Sequence, residues 1–129
     1  MEAAAVSTTI RVVIADDQPL FAETLEALLA TDRRIAVVGS ARDGKEAVRL
    51  WRKLRPDVIL MDISMPIMDG FEATRRIRRE REDACVLMLT GSNSRTDVDL
   101  ARKAGAAGYV TKDRIAADLI DAIVGAAAR

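Results

Sequence analysis

At 129 residues, half of them hydrophobic, the chain can bury one real core and leaves little room for a second domain. Its 20 basic and 20 acidic residues cancel, so no overall field draws it to nucleic acid or an anionic membrane. It has no histidine, which removes histidine catalysis and histidine metal ligation, and its one cysteine, Cys85, permits no disulfide within the chain.

The opening MEAAAVSTT lacks the charged and apolar regions of a signal peptide, and residues 1–9 are expected to form a loose arm. No apolar run approaches the roughly 18 residues that span a bilayer. A cytoplasmic setting is expected, with Cys85 a buried, inert thiol inside the run ACVLML.

The first apolar run, IRVVIA (10–15), leads into ADDQP, where Pro19 can open a helix carrying the stripe Phe21, Leu25, Leu28 and Leu29. IAVVGS (35–40) comes next, followed by a helical stripe of Ala47, Leu50, Trp51 and Leu54 in which Trp51 belongs to the core. DVILM (57–61) ends at Asp62; beyond it Pro66 and Gly70 shape a loop, and Asp69 can cap the helix of Phe71, Thr74 and Ile77. That helix continues into RRIRRERED (75–83), read as a solvated face with Glu72–Arg76 and Arg76–Glu80 as i,i+4 pairs rather than as a nucleic-acid surface. CVLML (85–89) precedes SRTDVDLARKAG, a fourth helix ended by Gly105. Its inward candidates are only Val98, Ala101 and Ala104, so it should be held loosely. AGYV (107–110) and the stripe Ile115, Leu119 and Ile123 complete one domain over 10–126, with 127–129 as its end or the start of a linker.

The five apolar runs are rich in Val, Ile and Leu without strict alternation, as in strands covered on both faces. Strict β–α alternation then implies an α/β fold, a five-stranded parallel sheet with helices on both sides. Ligands of such sheets bind beyond the carboxyl ends of the strands. Those ends carry Asp16 and Asp17, then Asp62, then Thr90, with Lys112 after the last strand.

Singly, each has an ordinary explanation: turn chemistry for the aspartates, a loop hydroxyl for Thr90, a solvated charge for Lys112. Together at the correct ends they point to a site. Three carboxylates within about 4–6 Å repel by a few kcal/mol per pair at an effective dielectric near 20, so the cluster calls for a cation. Oxygen-only ligands suit a hard ion such as Mg2+. A carboxylate beside Mg2+ can attack a phosphoryl group to give an acyl phosphate. Lys112 and Thr90 would then contact the phosphoryl oxygens.

ADDQP, LMDISMPIMDGFEATRRIR, VLMLTG and GAAGYVTKD closely resemble the receiver domain of two-component response regulators, from roughly Ile10 to Val124. The resemblance implies a flavodoxin-like (βα)5 fold with strand order 2-1-3-4-5. It implies Asp62 as phosphoacceptor, Asp16 and Asp17 as the acidic pair holding Mg2+, and the backbone carbonyl of Ser64 as a further ligand. It also implies Thr90 as the switch hydroxyl, Tyr109 as the switch aromatic and Lys112 as the phosphoryl-binding lysine. The partner would be a sensor histidine kinase, and the protein would catalyse only its own phosphorylation and dephosphorylation.

The ending GYVTKD is similar to the LuxR-type branch, whose receivers usually precede a helix-turn-helix DNA-binding domain. A transcriptional output from a longer regulator is therefore expected, with this segment itself not touching nucleic acid. A stand-alone receiver working by protein contact is the alternative. The output surface, and a possible homodimer contact, would be the fourth helix, fifth strand and fifth helix.

Gln18 stands where that branch often has histidine, and Asp113 follows Lys112 where many receivers have proline, so a cis X–Pro switch is unavailable. Ser64 and Ser92 are small and should leave room for an attacking water, giving an unexceptional phosphoaspartate lifetime. Three rivals are weaker. A flavin binder would not place Asp16 and Asp17 against phosphate, an Mg2+-dependent aspartyl phosphatase would want an acid where Ser64 stands, and a pure interaction module would not need the full set.

Overall fold

A computed structural model describes residues 9–91 and 94–128. Most of the expected arm, and Ser92, therefore lie outside the described residues. The elements in chain order are β1 (Ile10–Ala15), α1 (Pro19–Leu29), β2 (Ile35–Ala41), α2 (Gly44–Leu54), β3 (Val58–Asp62), α3 (Gly70–Glu80), β4 (Val86–Thr90), α4 (Arg95–Ala104), β5 (Gly108–Thr111), a 3-10 turn (Lys112–Arg114) and α5 (Ile115–Ala127).

All strand pairs are parallel and the order is β2-β1-β3-β4-β5, as expected for the flavodoxin-like fold. Alternate strand residues feed two separate cores. Val13, Ala15, Ile59, Met61, Val86 and Met88 pack with α2, α3 and α4, while Val12, Ile14, Val58, Leu60, Leu87 and Leu89 pack with α1 and α5. With apolar partners on both faces, the strands have no polar alternation in their sequence.

β3, β4 and β5 each run one residue later than expected, and β2 extends to Ala41. The shift matters at the carboxyl ends. Asp62 pairs with Leu89 and Thr90 with Thr111, so both polar residues are the last rungs of the sheet rather than the first residues of loops. Their backbones are fixed by the ladder.

Helix starts follow local chemistry. Pro19 opens α1, Asp43 accepts from the Glu46 amide at 2.7 Å, Asp69 from that of Glu72 at 2.9 Å, and Ser94 from that of Asp97 at 3.2 Å. Each such side-chain cap is worth about 1 kcal/mol. Gly105 ends α4 in the left-handed region at φ 99°, as its residue type allows.

Several expectations need correction. Cys85 is half-buried rather than buried, because β4 begins after it and leaves it at the amino-terminal rim of the sheet. Glu80 pairs with Arg52 on α2 instead of Arg76, bridging the two neighbouring helices, while Arg75 and Arg76 share Glu72. The helical stripes hold, with Phe21 and Leu28 on α1 and Leu50 and Leu54 on α2 packing half-buried against the cores, joined by the buried Ala22 and Val48. Among the described residues no helix is long and apolar enough to cross a membrane.

α4 buries only Ala101 and Ala104, with Val98 half-buried, so little apolar area opposes its opening. Native-state hydrogen exchange should therefore find α4 the least protected of the five helices. Equal protection across all five would contradict the thin packing.

Candidate functional site

The carboxyl ends of β1 and β3 lie side by side, because β1 pairs directly with β3. That adjacency brings Asp16 and Asp17 to Asp62. Each of the three offers a carboxylate oxygen, and these oxygens all lie within 4.8 Å of one another. Asp16 is fully buried, Asp62 is 5 % exposed and Asp17 faces solvent.

Lys112 reaches in from the turn after β5. Its Nζ lies 3.3 Å from Asp62 Oδ1 and 3.6 Å from Asp16 Oδ2, and it also lies over the Phe21 ring. Asp16 Oδ1 accepts a hydrogen bond from the Gln18 amide at 2.8 Å. Asp16 Oδ2 is buried and has no hydrogen-bond partner among the described residues; the Lys112 ammonium is near but beyond bonding distance. A buried carboxylate oxygen left in that state costs free energy.

The loop after Asp62 is folded tightly against these strand ends. The Gly70 amide donates to Ile63 O at 2.8 Å, and a Cβ at Gly70 would stand 2.1 Å from Asp62 O, so only glycine fits. The Gly44 amide donates to Met68 O at 2.9 Å, tying the loop to the start of α2. Between them, the Met68 amide donates to Pro66 O at 2.7 Å across Ile67, which sits at φ 71° and is 79 % exposed. A β-branched residue in that region stores about 1–3 kcal/mol of strain.

A cleft of about 400 Å3 opens over the cluster, lined by Asp17, Asp62, Ser64, Thr90, Asp97 and Lys112 among others. Of the residues picked out in the sequence, Asp16, Asp17, Asp62, Ser64, Thr90 and Lys112 are thus gathered at one place. Tyr109 does not line the cleft. It pairs with Met88, which places it on the α4 side of the sheet, as is Thr90 two residues further along β4, and it is 43 % exposed.

Two participants escaped sequence reasoning. Asp97, in the first turn of α4, reads as a routine acidic helix start, and Phe21 reads as one member of an apolar stripe. An aromatic in the first turn beyond an acidic pair was the available signal for the latter.

The electrostatics follow from the geometry. Burial, first, and then the charge of Asp16 push the Asp62 carboxyl up to about 6; Lys112 pulls it down and Asp17 adds to the rise. The chemistry of the donor set fits a small hard cation: oxygens only, three carboxylates converging, and one buried oxygen without a hydrogen bond. Asp16, Asp17 and Asp62 could hold it, and Ser64 lines the same cleft.

The sequence profile described as the response regulator receiver domain matches residues 12–124. The chain is 42 % identical over 114 residues to the transcriptional regulatory protein DegU of Brevibacillus brevis, covering 88 % of this chain and 48 % of that protein. It is 44 % identical over 114 residues to the transcriptional regulatory protein LiaR of Bacillus subtilis, covering 88 % and 54 %. It thus spans about half the length of the curated relatives it matches. Among solved structures, a LuxR-family two-component response regulator from Aurantimonas sp. SI85-9A1 superposes with a TM-score of 0.89 at 38 % identity, covering 93 % of this chain and 86 % of that one. The response regulator domain of Thermotoga maritima CheB gives 0.87 at 30 %, covering 94 % and 98 %.

A raised carboxyl favours folding while protonated. Without divalent cation, the folded state holds more protons than the unfolded one between about pH 4 and about pH 6, so Asp62 lowers stability as pH rises through that window. Above it the deficit is of the order of 3 kcal/mol. In EDTA at pH 7.5, Asp62→Asn should unfold at higher urea than wild type, and the difference should vanish near pH 4. Equal urea midpoints at both pH values would contradict the assignment of charge crowding.

Proposed function

The chain belongs to the response regulator receiver family, and from that premise we propose that it is a phosphorylation switch whose acceptor is Asp62. Members of this family are regulatory proteins rather than metabolic enzymes. The observation that carries the reading is the placement of a buried carboxylate, Asp62, within 4.8 Å of two further acids and 3.3 Å from an ammonium at an open cleft.

An Asp62 carboxylate oxygen attacks the phosphorus of a kinase phosphohistidine; the P–N bond breaks and imidazole leaves. Mg2+ held by Asp16, Asp17, Asp62 and the Ser64 carbonyl would supply the positive charge that makes this approach of anions possible. Asp62 is held by the last rung of β3, and Gly70 packs directly against its carbonyl. Lys112 offsets charge on the transferring oxygens, and the Thr90 hydroxyl donates to one of them. Water later attacks the acyl phosphate and resets the carboxylate. Ser64 lacks the carboxyl that a phosphatase would use as general acid, so turnover of outside esters is not expected.

The output rests on α4. Phosphorylation adds negative charge and acceptor oxygens beside Thr90, which moves toward them. Tyr109, on the same side of the sheet, then enters the space released. Because α4 is thinly packed, a small displacement shifts its ensemble, and the surface of α4, β5 and α5 becomes the docking face for a partner or a second copy. The relatives are transcriptional regulatory proteins about twice as long, which supports transcription as the output of the whole protein.

With Mg2+ and acetyl phosphate, the wild-type chain should gain one phosphoryl group by intact mass, and Asp62→Asn none. Lys112→Ala should label about a hundredfold more slowly. Labelling of Asp62→Asn at the wild-type rate would refute the acceptor assignment. Thr90→Ala should still be phosphorylated, but its α4 and Tyr109 resonances should not move on phosphorylation. If they shift as in wild type, the route from acceptor to surface is wrong.

A further inference from the structure

Lys112 is held from two sides. Its ammonium faces Asp62 Oδ1 at 3.3 Å and Asp16 Oδ2 at 3.6 Å, and it stands 4.5 Å from the centroid of the Phe21 ring. That separation lies within the range at which a cation is attracted by the negative face of an aromatic ring.

Phe21 packs against the core only in part, unlike its helix neighbours. Ala22, Leu25 and Leu29 are buried in the core, whereas Phe21 is half-buried at the start of α1. The start of α1 is also fixed against the acidic cluster. Pro19 sets its first turn, the Gln18 amide donates to Asp16 Oδ1 at 2.8 Å, and the Ala22 amide donates to Gln18 O at 3.0 Å. The turn that orients Asp16 therefore also orients the ring, and both meet the same ammonium.

We propose that Phe21 is a positioning residue: its ring face holds the Lys112 ammonium at the edge of Asp62 through a cation–π contact. A lysine ends in a flexible four-carbon stem and needs such a restraint. With leucine at position 21 the core would still be filled, but only the carboxylates would direct the ammonium, and it could turn toward exposed Asp17 or water. Placing the charge before the phosphoryl group arrives avoids reorganisation during transfer. The kinetic consequence rests on the phosphoacceptor reading of Asp62; the contact itself does not.

The test uses the full chain with Phe21 replaced by leucine, by tyrosine, and by mono-, di- and trifluorinated phenylalanine. Fluorination weakens the negative face while nearly preserving shape, so it separates electrostatics from packing. The first readout is the upfield ring-current shift of the Lys112 ε-methylene protons in the Mg2+-free protein; the second is the acetyl phosphate labelling rate with Mg2+. Wild type and Phe21→Tyr should show the upfield shift and label alike. Phe21→Leu should lose the shift and label about three- to tenfold more slowly. Across the fluorinated series the rate should fall stepwise at a constant urea midpoint.

Absence of the upfield shift in wild type, or equal rates throughout the fluorinated series, would overturn the proposal. Failure of wild type to accept phosphate at all would overturn the phosphoacceptor reading and the kinetic half of this one. A persisting ring-current shift would tell that result apart from loss of the contact.

Discussion

The structure is organised around three like charges held closer than they would choose. Carboxylate oxygens of Asp16, Asp17 and Asp62 lie within 4.8 Å of one another, two of them on buried residues, with one ammonium among them. At an effective dielectric near 20, each close pair of such charges opposes folding by a few kcal/mol. Domains are stable by only about 5–15 kcal/mol, so an arrangement of this kind needs a firm scaffold and a counter-charge. Lys112 supplies part of the counter-charge. The buried Asp16 oxygen without a hydrogen bond marks where more is needed.

The scaffold is the central pair of strands. β1 and β3 are each flanked by strands on both sides, and their side chains feed apolar cores on both faces. Their ends are therefore held by strand pairing on both sides and by packing on both faces, and the acids stand there. The elements that could transmit a change are attached at the other extreme. α4 contributes two small buried side chains, and Tyr109 on β5 is 43 % exposed beside it. Rigid acids and a loose neighbouring helix are what a local charge change needs in order to have a distant effect.

Much of this was legible in the sequence. Val- and Ile-rich runs without polar alternation identified doubly covered strands, and the polar residues at their ends identified the site, because a parallel sheet forces those ends to one edge. Asp69 and Pro19 were readable because caps are local chemistry. What was lost depends on tertiary placement. The Arg52–Glu80 bridge joins α2 to α3, and no spacing within either helix announces it. Cys85 lies at an apolar run's beginning, where one residue of boundary shift decides its exposure. The positive φ of Ile67 opposes its own residue preference and is imposed by the ties at Gly44 and Gly70. Phe21 does pack against the core, but a helical stripe does not reveal that Lys112 arrives over its ring from the opposite end of the chain.

On the reading proposed above, a small divalent cation offsets the charge crowding at Asp16, Asp17 and Asp62. Calorimetric titration of Mg2+ into the metal-free wild-type chain and into Asp16→Asn tests it most directly. One saturable ion per wild-type chain, with binding weakened in Asp16→Asn and with falling pH, is the predicted result. Equal Mg2+ affinity in both proteins, or no saturable binding in wild type, would contradict the account.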